Sequence, residues 1–239
     1  MREAARGAVL VFDFDGTLAR MVGDRGSAAM TEHTRALLRA VAVMYPCAVV
    51  SGRARADVAA RLANVPLRAI VGNHGAEPDP SMPPLLVRAR ARSWAAALRA
   101  SVDEEGIDVE DKGISVAVHV RHARSPAEAH DRISRLASAL PGARVFGGKA
   151  VVNVVPEGAG TKAGAVETLA ARFAGSLVMY VGDDETDEDA FRSRAVTWGV
   201  RVGRSERSAA GYYLEDQFEV DTLLRAVLFE HARQGRPFL

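Results

Sequence analysis

The chain has 239 residues, 48% of them hydrophobic, enough to bury one large core or two small ones. Lysine plus arginine (31) nearly balances aspartate plus glutamate (30), so no general charge draws the chain to nucleic acid or anionic lipid. The one cysteine, Cys47, excludes a disulfide within the chain and a thiolate-rich zinc site, and its apolar neighbours predict a small buried core residue.

In chain order, the first apolar run is 8-AVLVFD-13, a predicted buried strand that ends in two aspartates, Asp13 and Asp15, followed by Gly16-Thr17. The basic start before it is followed by too short an apolar stretch for a signal peptide, and no segment reaches the roughly 18 apolar residues of a membrane span; a cytoplasmic protein is expected. Strands are predicted at 46–51, 68–72, 176–182 and 196–203, with helices near 31–45, 54–63, 162–174, 185–194 and 219–233. Near-continuous apolar strands alternating with helices predict a Rossmann-like, doubly wound α/β domain with a parallel sheet.

The middle of the chain has another texture. A proline-rich stretch, 78-PDPSMPPLL-86, reads as a linker and precedes a helix near 88–104. Strands are predicted at 107–110 and 114–121, then a helix at 126–139 opened by Ser125 as N-cap with Pro126 at N1 and Glu128 at N3, then strands at 143–146 and 150–156. This is an inserted α+β module. Alternation in 114–121 predicts Ile114, Val116, Val118 and Val120 on the helix-covered face, leaving Ser115, Ala117, His119 and Arg121 free to meet something polar.

Carboxylates are rarely buried without partners. In an open parallel sheet, ligands gather beyond the carboxyl ends of the strands, where Asp13-Phe-Asp15-Gly-Thr17, 51-SGR-53 and 182-GDDETDEDAF-191 would converge with Lys162 at the head of a helix. Asp13, Asp183 and Asp187 offer the hard oxygens that suit Mg²⁺. Lys162, the Ser51 hydroxyl and backbone N–H groups suit a phosphate dianion. Each group balances the charge of the others.

D-x-D-G-T, S-G-R, a later lysine and G-D-D-x-T-D, in this order, resemble the haloacid dehalogenase (HAD) superfamily. G-N-H-G-A-E at 72–77, Glu110-Asp111-Lys112, 115-SVAVHVR-121 and 182-GDDETDEDAF-191 narrow the resemblance to its trehalose-6-phosphate phosphatase family, over nearly the whole chain. The resemblance implies a HAD core of residues 1–80 and 159–239 and an α+β cap at 81–158 that reads the sugar. It implies Asp13 as nucleophile, Asp15 as acid and then base, and Lys162 as a further catalytic group. Mg²⁺ is expected on Asp13, Asp15 (through its carbonyl) and Asp183, with Asp184 or Asp187 supporting, and the phosphate on Thr17, Ser51, Gly52, Arg53 and Lys162. Glu110, Lys112, Asn153 and His74 form the expected substrate set. Asn153 stands where the family pattern has glutamate, and Ala163 interrupts its usual K-G. A monomer acting on trehalose 6-phosphate is expected. Sucrose 6-phosphate and a glycosyl phosphoglycerate are the rival substrates, and a phospho-acceptor receiver domain is the rival class.

Overall fold

The computed structural model describes residues 7–23, 25–77, 85–148, 150–173 and 176–233. Most of the proline-rich linker, 78–84, lies outside the described residues. The chain divides into two compact units, residues 1–75 with 161–239, and residues 76–160.

The first unit is built on strands β1 (Ala8–Phe12), β2 (Cys47–Val50), β3 (Ala69–Val71), β8 (Leu177–Gly182), β9 (Trp198–Val202) and β10 (Tyr212–Leu214). They form one sheet in the order β10-β9-β8-β1-β2-β3, with every pairing parallel. Every residue of β1 and β2 is buried, as continuous apolar runs in a doubly covered sheet demand. Alternate side chains feed two cores. Leu10, Phe12, Cys47, Val49 and Val181 pack with Leu38 and Val41 of α1 (Glu32–Met44), Val58 of α2 (Arg55–Arg61), and Val220 and Leu224 of α7 (Glu219–Arg233). Val9, Val11, Ala48, Val50 and Tyr180 pack with Val166 and Leu169 of α5 (Lys162–Arg172) and Phe191 of α6 (Glu188–Arg192). The strand order reverses between β1 and β8, so the loops after these two strands flank the switch point where ligands bind such sheets. Cys47 is buried and free, as expected.

The second unit, described by itself, is an antiparallel sheet in the order β4-β5-β7-β6, from β4 (Asp108–Asp111), β5 (Val116–His119), β6 (Ala143–Gly148) and β7 (Val151–Pro156). Helices α3 (Leu85–Ser101) and α4 (Pro126–Ser138) supply Trp94, Leu98, Ile133 and Ala137 to a core with Val116, Val118, Val152 and Val154. The unit is a separate antiparallel α+β module, as the sequence predicts.

Several details differ from expectation. β10 was not foreseen, because three residues in a Gly/Tyr-rich stretch carry no apolar run. Ser125 occupies the N-cap position of α4, but its side chain makes no cap hydrogen bond. Residues 185–187 form a 3-10 turn ahead of α6, which ends at Arg192. The face of β5 expected to be open is partly closed, since Ser115 and Ala117 are buried. Ala117 stands in register between Glu110 and Asn153, and longer neighbours on both sides screen a methyl group.

Candidate active site

The loop after β1 is closed on itself: the Gly16 amide donates to the Ala19 carbonyl at 2.7 Å, and the Ala19 amide to the Phe14 carbonyl at 2.8 Å. Phe14 and Leu18 anchor it in the core. Gly16 has φ +81°, and a side chain there would collide with the Asp183 carboxylate, so only glycine lets the loops after β1 and β8 approach this closely. Asp13, at the foot of the loop, is buried and donates its amide to the Val181 carbonyl at 2.8 Å.

Lys162 opens α5 behind the N-cap Thr161, whose hydroxyl accepts the Gly164 amide at 3.1 Å. Its buried ammonium donates to Asp13 Oδ1 at 2.9 Å and Asp187 Oδ1 at 2.6 Å. Asp187 is fully buried and saturated with donors. Oδ1 also takes the Tyr180 hydroxyl at 2.5 Å, and Oδ2 takes the amides of Asp183 at 3.0 Å and Asp184 at 2.9 Å. Asp184 caps the 3-10 turn, its Oδ1 accepting the Glu185 amide at 2.7 Å. One oxygen each from Asp13, Asp183 and Asp187 lies within 4.8 Å of the others.

Burial is the largest influence on the Asp13 carboxyl, raising its pKa well above the ordinary 3.8; Lys162 opposes the rise, and the carboxylates of Asp187, Asp183 and Asp15 add to it. Burial acts to lower Lys162, but Asp13 and Asp187 outweigh it and hold the ammonium charged. Burial and the Asp187 charge likewise lift the Tyr180 hydroxyl, keeping it a proton donor. Three carboxylates around one ammonium leave excess negative charge where hard oxygens converge. That donor set fits a divalent cation such as Mg²⁺.

Ser51 follows β2, fully buried, with its hydroxyl accepting the Arg53 amide at 3.2 Å. The turn 73–75 docks on this loop: the Asn73 amide reaches the Arg53 carbonyl at 2.7 Å, and the His74 amide the Ser51 carbonyl at 2.9 Å. The His74 ring lies so close over Gly52 that a side chain at 52 would strike it. Thr17 is buried, and its hydroxyl has no hydrogen-bond partner among the described residues. The Arg53 guanidinium donates to the carboxylates of Asp15 and Asp57.

In the second unit, Glu110, Ala117, Asn153 and Phe146 lie in register across β4, β5, β7 and β6. Glu110 meets His119 Nε2 at 3.1 Å, and the Lys112 amide donates to the Ser115 carbonyl at 2.9 Å. Sequence reasoning missed Tyr180, Asn73 and Asp57. Tyr180 left one clue, a hydroxyl inside an otherwise apolar strand.

The family model described as trehalose-phosphatase matches residues 11–208. The trehalose-phosphate phosphatase of Mycobacterium avium (strain 104) is 36% identical over 207 residues, 79% of this chain and 51% of that protein. The probable trehalose-phosphate phosphatase D of Arabidopsis thaliana is 29% identical, covering 95% of this chain and 69% of that one. An uncharacterized glycosyl hydrolase of Mycobacterium tuberculosis is 33% identical over 90% of this chain, which spans 18% of its length. Among solved structures, the C-terminal domain of C. albicans trehalose-6-phosphate phosphatase superposes with a TM-score of 0.78 at 18% identity, covering 95% of this chain and 93% of that one. A HAD subclass IIB sugar phosphatase gives 0.61 at 17% identity, covering 93% and 98%. At these identities the structural likeness establishes the HAD fold. With the family model spanning most of the chain, the protein belongs to the trehalose-phosphatase family.

Proposed function

We propose that this protein is a Mg²⁺-dependent phosphatase that hydrolyses trehalose 6-phosphate to trehalose and phosphate through an aspartyl phosphate, an acyl phosphate on Asp13. The cluster of Asp13, Lys162 and Asp187 beside Asp183, in a chain of this family, is the observation that carries the reading. Asp13 attacks phosphorus as the bond to the sugar oxygen breaks, and Asp15 protonates that oxygen. Asp15 then takes a proton from the water that attacks phosphorus and frees Asp13. Lys162 neutralises charge beside the nucleophile, and the Ser51 and Thr17 hydroxyls with the Gly52 loop receive phosphoryl oxygens. Mg²⁺, held by Asp13, the Asp15 carbonyl and Asp183, would supply the remaining charge neutralisation. Asp187, saturated by four donors, supports the cluster from behind, and Asp184 shapes the turn.

The second unit reads the sugar. The half-buried Glu110, Lys112 and Phe146 offer a carboxylate, an ammonium and an aromatic ring to a disaccharide, while Asn153, in register between Glu110 and Phe146, is buried behind them. Such a face rejects substrates that leave its polar groups unpaired. Glu110→Ala or Lys112→Ala is expected to lower kcat/KM for trehalose 6-phosphate roughly 10- to 100-fold, the scale of one charge-assisted hydrogen bond. Hydrolysis of p-nitrophenyl phosphate should stay nearly unchanged. Equal losses on both esters, or a preference for sucrose 6-phosphate, would overturn the sugar assignment and leave the phosphatase reading standing.

A further inference from the structure

Arg53 is 4% exposed, and a buried guanidinium persists only where carboxylates surround it. Its Nε and one terminal nitrogen donate to Oδ2 and Oδ1 of Asp15, both at 2.7 Å, in a side-on fork. Its other terminal nitrogen donates to Asp57 Oδ2 at 2.8 Å. Asp57 Oδ1 in turn accepts Arg61 Nε at 3.0 Å. Arg61 closes the series by donating to the Gly26 carbonyl at 3.2 Å and to the Ala28 carbonyl, in the segment that leads from β1 to α1. Charges thus alternate along Asp15, Arg53, Asp57 and Arg61. The last two are one turn apart on α2, which spans Arg55–Arg61.

We propose that Asp57 and Arg61 are positioning residues for Asp15: they fix the Arg53 guanidinium, whose fork sets the direction of the Asp15 carboxylate toward the leaving sugar oxygen. The inference rests on the phosphatase reading above and assigns Arg53 to the acid–base residue instead of the phosphate. The Asp57 side chain is 41% exposed and Arg53 keeps its fork to Asp15 without it, so losing Asp57 costs less stability than breaking a fully buried pair. The geometric effect is larger. Both oxygens of Asp15 are gripped by one rigid plane, so a rotation of that plane swings both together. Small misplacements of a catalytic group cost up to about 100-fold in rate.

The two steps of turnover separate this role from a structural one. In the first, the bond from Asp13 to phosphorus forms, the bond to the sugar oxygen breaks, and that oxygen needs the proton from Asp15. A p-nitrophenolate leaves without one. kcat/KM reports this first step for both esters. Asp57→Ala is expected to lower kcat/KM for trehalose 6-phosphate about tenfold, through kcat, while p-nitrophenyl phosphate changes less than about twofold. Arg61→Met should act in the same direction and less strongly. Asp57→Glu should recover most of the loss, and the Mg²⁺ requirement and thermal midpoint should stay near wild type. Equal losses on both esters, or no loss on the sugar phosphate, would overturn the positioning role while wild-type turnover upheld the phosphatase reading. A wild type that hydrolyses neither ester would overturn both.

Discussion

Asp13→Asn is expected to lower kcat at least roughly 10⁴-fold, the scale on which removing a catalytic nucleophile acts. The amide keeps the shape of the carboxylate but is a poor nucleophile. The fold should survive, and the direction of the stability change is set by the raised pKa of Asp13. In metal-free wild type, unfolding lowers that pKa toward 3.8, so Asp13 stabilises the fold below about pH 4, and this contribution is lost as the pH rises toward the folded value. Asparagine carries no such charge. In EDTA, therefore, the thermal midpoint of Asp13→Asn relative to wild type should climb as the pH rises above about 4 and then level off, and Mg²⁺ should erase the difference by stabilising the wild type. A gap independent of pH would place the raised pKa elsewhere.

Lys162→Met carries the second large effect, on activity and stability together. Removing the ammonium takes away the one side-chain cation, among the described residues, that pairs both Asp13 and Asp187 in the buried cluster. Breaking a buried pair by deleting one partner typically costs about 3–5 kcal/mol, a loss readable as a lower denaturation midpoint. Turnover should fall by roughly 10³-fold or more, because the phosphoryl group loses a fixed positive charge that needs no reorganisation. Asp187→Asn offers the contrast. It keeps one acceptor oxygen but sets a buried NH₂ against two of the four donors, so it too should lose stability while Lys162 keeps Asp13. A stable Lys162→Met variant with near-normal turnover would remove Lys162 from the site.

The parallel sheet and the converging loops were legible because each depends on local pattern. Apolar runs such as 8–12 and 177–182 can be buried on both faces only in a covered sheet, and acids placed directly after them have few places to go. The same logic brought Asp13, Lys162, Asp183 and Asp187 together, as the structure does. What escaped depends on pairings across the chain. Arg53 reads as a cation after S-G, a natural phosphate ligand, and nothing local says that its guanidinium turns to Asp15, 38 positions earlier. Tyr180 resembles its apolar neighbours in composition, although its hydroxyl donates to Asp187. Ser125 fits the N-cap pattern, yet its side chain makes no such bond. In each case the residue type allowed two partners, and tertiary packing selected the one that pattern does not favour.

The central claim is that Asp13 and its neighbours form a metal-dependent phosphatase centre. Its most direct test is inorganic phosphate release from trehalose 6-phosphate, with chelated enzyme titrated by Mg²⁺. The account predicts no release above background in EDTA and a saturable recovery as Mg²⁺ is added, absent in Asp13→Asn at every concentration. Release undiminished by chelation, or none at any Mg²⁺ concentration, would contradict it.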